Sequence, residues 1–241
     1  MTTSNRPAFK ANAVANTFKD KAHAQVAEGI LDHYDRNLFL HEKDTSVAFR
    51  AVLTGEGYGA VHWDTSQGDE SADPESGEVI KDGDIDVTVH TLFDVAYDCG
   101  TEDFSKIQWI AIRRPVSRHD LAATYPHKAE YILGAAQNKD TDYNFSDFRW
   151  NNFKQEKKDY VDLWEFRHMP TPALGGGRLV NLINQKCVVY DTHTTPSGEP
   201  RAGHYPYGNG LRVRRMQPDE IIGGAGGHTA FFDLLSQQEG I

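Results

Sequence analysis

YVDLWEFRHMPTPALGGGRLVNLINQKCVVY, residues 160–190, is the stretch that decides the fold. Three of its runs are rich in β-branched and aromatic residues, which is typical of strands; they are residues 160–168, 178–183 and 186–190. The glycines at 175–177 and the Asn184-Gln185 pair supply the turns between them. Consecutive strands joined by short turns predict an antiparallel meander.

Upstream of the meander, the run IQWIAIRR at residues 107–114 predicts a further, well-buried strand. Its apolar side chains fall on both faces, with Ile107, Trp109 and Ala111 on one and Ile110 and Ile112 on the other, as in a strand covered on both sides. We expect the following proline, residue 115, to end this strand. A short helix over residues 118–125, capped by the serine at 117, and another over 127–133 should follow.

The N-terminal region predicts two helices. Val26, Ile30, Tyr34 and Leu38 recur every fourth residue and form one apolar stripe of a helix within residues 16–40, for which Thr17 is a suitable cap. A second helix is predicted over residues 42–53. GEGYG at 55–59 should end it and open a strand.

A strand with one buried and one wet face is predicted at residues 84–89, where apolar and polar residues alternate. The acidic, Ser/Gly-rich segment before it reads as an exposed hairpin tip or loose loop, and TLFDVAYDCG at 91–100 as a turn. Together these elements predict an α+β fold in which an N-terminal helical pair packs with a mixed, largely antiparallel sheet.

The chain divides into three regions by composition. Residues 1–133 hold the helices and first strands, and residues 134–159 are a polar linker or protrusion. Residues 160–241 hold the meander and, from about residue 229, the start of a C-terminal helix. An arrangement in which the first and third regions form one domain stays open.

Charge and composition argue against some classes of function for this chain. A net charge of −10 argues against a protein that grips nucleic acid, because phosphate binding needs clustered Lys and Arg. The same net charge fits a protein that lines a passage along which DNA slides, and it also fits a protein that carries charge only to stay soluble. Without a long apolar run or a secretory signal, we expect a soluble intracellular product, and Cys99 and Cys187 should be reduced structural thiols.

No motif indicates catalysis. The histidines lack the spacing of a zinc site. Asp82, Asp84 and Asp86 resemble the opening of a calcium loop, but Val87 stands where that loop needs glycine and Phe93 where it needs a bidentate Glu. We therefore predict no catalytic residue, no metal ligand and no cofactor. Two alternatives stay open: a metal- or carboxylate-dependent hydrolase, and a β-rich binding module that stacks ligands on Trp63, Trp150, Trp164 and Tyr207.

Two short basic clusters stand out in this acidic chain, Arg113-Arg114 and the group Arg212, Arg214 and Arg215. Arginines of this kind are usually solvated or paired within the fold. The alternative hypothesis is that they lie at a subunit interface, where their guanidinium groups bind carboxylates of a neighbouring copy. On that hypothesis, reversing the charge of Arg113 and Arg114 weakens assembly without unfolding the chain.

The order of segments resembles the portal proteins of short-tailed bacteriophages, and the similarity spans nearly the whole chain. The segments that carry it are LTGEGYGAVHWD (53–64), VTVHTLFDVAYDCG (87–100), EDFSKIQWIAIRRPVSRHDLAATYP (102–126), DLWEFRHMPTPALGGGRLV (162–180) and PYGNGLRVRRMQPDE (206–220). They include a glycine stop before a strand that ends in Trp-Asp, and a Trp-containing strand that ends in Arg-Arg before a short helix closed by Tyr-Pro.

The resemblance implies a structural protein and not an enzyme. Its residues would form the wing of a portal subunit, which joins other copies in a homo-oligomeric ring at one capsid vertex, connects head to tail and guides DNA during packaging and ejection. The implied partners are other portal subunits, the terminase, capsid and tail-adaptor proteins, and double-stranded DNA that passes without sequence-specific binding; no membrane is implied. The implied location is the virion, after synthesis in the host cytoplasm. Family members continue into a stem and a clip, so this chain, which ends at Ile241, is expected to represent the wing half.

Overall fold

The structure is a computed structural model that describes residues 10–15, 17–64, 67–72, 79–135, 159–208, 210–220 and 226–229. Within them the helices are α1 (Phe18–Asn37), α2 (Leu40–Thr54), α3 (Arg118–Thr124) and α4 (Ala129–Gly134). The strands are β1 (Gly57–Asp64), β2 (Glu70–Ala72), β3 (Val79–Lys81), β4 (Asp84–Thr91), β5 (Val95–Tyr97), β6 (Trp109–Ser117), β7 (Tyr160–His168), β8 (Arg178–Ile183), β9 (Cys187–Asp191), β10 (Val213–Met216), β11 (Asp219–Glu220) and β12 (Gly227–His228). Short 3-10 turns lie at Leu92–Asp94, Phe104–Lys106 and Pro126–Lys128.

The strands form two main sheets, and every described pairing is antiparallel. The five-stranded sheet has the order β5-β6-β7-β8-β9, and the three-stranded sheet has the order β10-β1-β4. Two small ribbons, β2-β3 and β11-β12, complete the pairing. Each main sheet takes strands from both sides of residues 134–159. The predicted α+β class and the predicted meander, β7 to β9, are therefore confirmed.

One face of the five-stranded sheet, which we call the inner face, carries most of its buried side chains. Along β7, Val161, Leu163, Glu165 and Arg167 are buried and alternate with more exposed residues, so all four point to this face. One half of the inner face packs against the three-stranded sheet, in an apolar cluster formed by Tyr58, Ala60, Val95, Ile107, Ile110, Ile112, Leu211 and Val213. The other half packs against α3 and α4, in a second cluster formed by Leu121, Ala122, Ile132, Val161, Leu163, Ile183 and Val189.

Helix α2 covers part of the other face of the three-stranded sheet. Val47 and Ala51 are its buried residues, and the backbone of α2 approaches β1 so closely that a Cβ on Gly57 would lie 2.2 Å from the Val47 carbonyl oxygen. Gly55 ends α2 with φ 88°, a left-handed conformation that favours glycine. Glycine is therefore required at two nearby positions for different reasons, close packing and chain reversal.

Most predicted element boundaries agree with the structure. Thr17 caps α1 through a hydrogen bond from the Asp20 amide, and Ser117 caps α3 in the same way. The prediction of a turn at residues 91–100 was wrong in part, because residues 95–97 form β5. The prediction that Pro115 ends β6 was also wrong, since the strand continues through Pro115 to Ser117. The predicted C-terminal helix lies outside the described residues from residue 230 onward, and so do residues 136–158 of the predicted linker.

Candidate functional site

The five arginines proposed for an interface occupy four different environments. Arg113 is buried on β6 and forms an ion pair with Asp94, in which Nε at 3.2 Å and Nη2 at 2.8 Å donate to the same carboxylate oxygen. Asp162 lies 4.0 Å from its Nη1 atom. Asp94 also accepts a hydrogen bond from the Thr91 hydroxyl, which ties the turn before β5 to β6. Arg113 is thus an internal residue that joins two parts of the fold.

Arg215 also points inward, at the edge of the first apolar cluster. Its Nη1 atom lies 3.5 Å from the buried Glu56 carboxylate and 3.2 Å from the Tyr97 hydroxyl, and its guanidinium lies 4.8 Å from the centre of the Phe104 ring. Tyr58 donates its hydroxyl hydrogen bond to Glu56. Burial raises the pKa of Tyr58, and the neighbouring carboxylate raises it further, so Tyr58 remains a donor at neutral pH.

Arg114 belongs to a buried polar cluster at the seam where the three-stranded sheet and the α3-α4 pair meet over β6 and β7. The cluster consists of His62, His90, Arg114, Glu165 and Arg167. Arg114 Nη1 lies 3.2 Å from His62 Nε2, whereas its Nε atom is buried and has no hydrogen-bond partner among the described residues. His90 Nε2 lies 2.8 Å from the hydroxyl of Thr88.

Arg167 holds this cluster together. Its side chain is 1% exposed, and its Nε atom donates to the Glu165 carboxylate at 2.6 Å. Its Nη1 atom donates to two carbonyl oxygens of the facing layer, that of Leu211 at 2.8 Å and that of Val61 at 3.1 Å. The guanidinium also lies 4.8 Å from the centre of the Tyr207 ring. One side chain of β7 therefore satisfies backbone groups of both the β1 strand and the segment that leads into β10.

The two histidines of this cluster have the lowered pKa values of buried groups. Burial lowers the pKa of His90 to about 4, and burial together with the charge of Arg114 lowers the pKa of His62. A neutral His62 ring can accept the Arg114 hydrogen bond at Nε2. The cavity between these side chains has a volume of about 10 Å³, which is space for about one water molecule. In this conformation the cavity is too small to admit a substrate.

Arg212 and Arg214 are the two exposed members of the predicted set. Arg214 lies in β10 on the face opposite to Arg215, where it pairs with Gly59. Arg212 directly precedes β10 with a left-handed φ of 56°, and its Nε atom donates to the Tyr207 carbonyl oxygen at 3.1 Å. Met216, Val61 and Trp63 share the face of Arg214 and are exposed, Trp63 by 52%. We call Val61, Trp63, Arg214 and Met216 the β10 surface. Within the described part of the chain, no carboxylate pairs with Arg212 or Arg214.

A second exposed surface lies on α1. None of the twenty residues of this helix is buried, and Val26 and Ile30 of the predicted stripe are 62% and 51% exposed. Leu31 is also exposed. Glu28 and Asp32 lie one turn apart on the side of the helix away from Val26 and Ile30. We call Val26, Ile30 and Leu31 the α1 face. The sequence predicted the stripe but not that it would stay uncovered by the described part of the chain.

The other candidate sites do not come together. Asp84 accepts a hydrogen bond from the Tyr34 hydroxyl and Asp86 pairs with Lys43, and no group of three potential metal ligands occurs among the described residues. Tyr207 packs against Arg167 on the inner face, whereas Trp164 lies on the opposite face of β7, and Trp150 falls outside the described residues. Cys99 and Cys187 are both free thiols.

None of the described helices has the length and apolar character that a membrane span requires. Comparison of the chain with protein-family models gives no match, and comparison with curated proteins gives none either.

Proposed function

We propose that this chain is a structural, non-enzymatic subunit of a bacteriophage portal, which assembles with further copies into a ring at one capsid vertex and guides DNA during packaging and ejection. The order of the segments carries the proposal. The resemblance rests on the order of the glycine stop before the Trp-Asp strand end, the Arg-Arg strand end before a helix closed by Tyr-Pro, and the late PYGNGLRVRRM segment.

The fold supports the proposal in its general form. An N-terminal helical pair lies beside antiparallel sheets, and the segments that carry the resemblance fall on β1, β4, β6, β7 and β10. These strands contribute most of the two layers and of the core between them. The resemblance therefore concerns the residues that build the fold, as expected for a protein whose role is architectural.

The exposed surfaces support the assembly. A ring of identical subunits needs two different surfaces on each copy, one for each neighbour, and a rotation that closes. The α1 face and the β10 surface are two such surfaces, both exposed and both partly apolar. Exposed apolar patches of this kind mark sites of protein association.

The charge supports the relation to DNA that the proposal needs. A chain of net charge −10 repels phosphate, and a channel subunit must let DNA slide and not hold it. The terminase would supply the ATP chemistry, and capsid and tail-adaptor proteins would be the other partners in the virion.

The test is the size and shape of the purified chain. Light scattering should give a mass several times the 27.0 kDa of one copy, and negative-stain images should show rings of uniform diameter with a central hole. Open filaments, isologous dimers or a monomer at all accessible concentrations would each contradict the proposal, because none of them is a closed ring of heterologous contacts.

A further inference from the structure

Strand β4 lies at one edge of the three-stranded sheet, and no further strand pairs with it within the described residues. The direction of its backbone groups follows from the register. Val61 of β1 directs its amide to Arg212, away from β4, so its partner Val87 directs its own amide and carbonyl away from β1. Because backbone groups alternate in direction along a strand, those of Ile85 and Val89 point to the same side. This side of β4, which we call the β4 edge, therefore carries amides and carbonyls to which another strand could bond.

Two aspartates of β4 occupy the amides of this edge. The Ile85 amide donates to the carboxylate of the preceding residue, Asp84, at 2.7 Å. The Val87 amide donates in the same way to Asp86, also at 2.7 Å. An incoming strand would have to displace both carboxylates, and its own carbonyl oxygens would meet their negative charge. Charged side chains on an edge strand are one way in which sheets avoid pairing with another chain.

The N-terminal helical pair holds these carboxylates in place. The Tyr34 hydroxyl of α1 donates to Asp84 at 2.9 Å. Lys43 of α2 forms an ion pair with Asp86 at 3.0 Å, in which both side chains are largely buried. Each aspartate therefore binds its own strand and one helix at the same time.

Arg50 of α2 occupies a carbonyl of the same edge, because its Nη1 atom donates to the Val89 carbonyl at 2.5 Å. Two β4 strands could pair antiparallel about a two-fold axis at Val87, since an isologous contact uses the same surface of both copies. The Ile85 amide of one copy would then bond to the Val89 carbonyl of the other, and the Val87 amides to the Val87 carbonyls. Both of these amides and the Val89 carbonyl are already bonded within each copy.

We propose that the contacts of α1 and α2 with β4 are autoinhibitory, because they close the β4 edge to strand pairing with a second copy of the chain. The run IDVTV at 85–89 is rich in β-branched residues, which favour strand pairing once the polar groups of the edge are free. The inference goes beyond the proposed ring and does not depend on it, since a closed edge restricts how any two copies meet. In a ring, the contacts between subunits would lie on other surfaces.

Substitution of the two aspartates tests the closure. Asp84→Ala with Asp86→Ala removes both acceptors and should allow β4 strands of two copies to pair. Asp84→Asn with Asp86→Asn makes the same change of net charge but keeps a side-chain oxygen that can accept from each amide, so it is the matched control. The alanine chain should associate through β4, and the asparagine chain should behave like the chain with both aspartates.

A cysteine on β4 detects this contact directly. All chains carry Cys99→Ser and Cys187→Ser, so that Val87→Cys is the only thiol, and a short bis-maleimide joins copies whose β4 strands are adjacent. The cross-linked fraction in denaturing gels should be on the order of 10-fold higher for the alanine chain than for the asparagine chain, because several hydrogen bonds between copies become possible. Arg50→Met frees the Val89 carbonyl without changing either aspartate, and should raise cross-linking by a smaller factor. Arg36→Met, at an exposed residue of α1, is its control and should not raise it.

Circular dichroism and the urea midpoint establish which of these chains are folded. A folded alanine chain that cross-links no more than the asparagine chain would overturn the proposal. Strong cross-linking with both aspartates in place would also overturn it, because the edge would then be open in the unsubstituted protein. If the alanine chain does not fold, the comparison of Arg50→Met with Arg36→Met decides, and equal cross-linking of these two would count against the closure. None of these outcomes bears on the ring, which is tested by the mass and the images of the unsubstituted chain.

Discussion

Replacing Arg167 by methionine should destabilise the protein more than any change at an exposed arginine. The substitution removes the hydrogen bond to Glu165 and the bonds to the carbonyls of Val61 and Leu211. It leaves the Glu165 carboxylate, whose side chain is 8% exposed, without its partner. Loss of one member of a buried ion pair costs about 3–5 kcal/mol.

Urea unfolding followed by tryptophan fluorescence measures this cost. With a denaturant slope of about 3 kcal/mol/M, the Arg167→Met midpoint should fall by about 1–1.7 M. Arg36→Met is the matched control, because Arg36 pairs with Asp32 on the exposed side of α1, and its cost should be about 0.5 kcal/mol or less. The double variant Glu165→Leu with Arg167→Met removes both charges and should recover most of the loss. An Arg167→Met midpoint equal to that of the control, or a double variant that loses the sum of both single costs, would refute the reasoning.

Three further outcomes are expected. Burial lowers the pKa of His90 in the fold to about 4, from about 6.5 in the unfolded chain. The contribution of His90 to the free energy of unfolding, about 3 kcal/mol, is therefore complete above pH 6.5 and is lost as the pH falls toward 4. His90→Gln should flatten this part of a profile of urea midpoints measured from pH 7.5 to 4.5. Gly57→Ala should cost about 1–3 kcal/mol in thermal unfolding, because its Cβ would meet the backbone of α2, whereas at Gly59 the nearest atom to an added Cβ is a side-chain methyl at 3.8 Å and the same change should be nearly neutral. Arg113→Glu should unfold the chain at a lower urea concentration, because it breaks a buried ion pair. Arg214→Glu, at an exposed residue, should change the free energy of unfolding by no more than about 0.5 kcal/mol and act on assembly alone. Equal urea midpoints for the two variants would contradict the assignment of internal and exposed arginines.

Local patterns predicted the elements whose neighbours in sequence are also their neighbours in space. The stripe and cap of α1, the glycine that ends α2, and the three strands of the meander each depend on a few adjacent residues. Pro115 misled the prediction because a proline usually ends a strand. It is tolerated here because β5 pairs with β6 only as far as Ile112, so that the side of β6 toward which the missing N–H would point has no described partner strand at residue 115.

The buried polar cluster was missed, although the sequence contains a signal for it. In β7, Glu165 and Arg167 occupy the same alternating positions as the core residues Val161 and Leu163, and charged residues at such positions indicate a buried, paired group. The partners of the arginines could not be predicted in the same way. Arg113 pairs with an aspartate of another element and Arg167 with carbonyl groups of another layer, and only the tertiary fold brings these together.

The pairing of β1 with β10 has a consequence for how the chain acquires its structure during synthesis. Gly57 pairs with Met216, so the three-stranded sheet joins residues about 160 positions apart. A nascent chain can form the α2-β1-β4 unit early, but the sheet must wait for β10 to leave the ribosome before its third strand and the Arg215 ion pair are in place. Long-range pairings are slow to form because the entropy of loop closure must be lost before the contact is gained. Until then the edge of β1 and the apolar residues Tyr58 and Ala60 remain available to other chains, and this interval is the one in which a chaperone would be most useful.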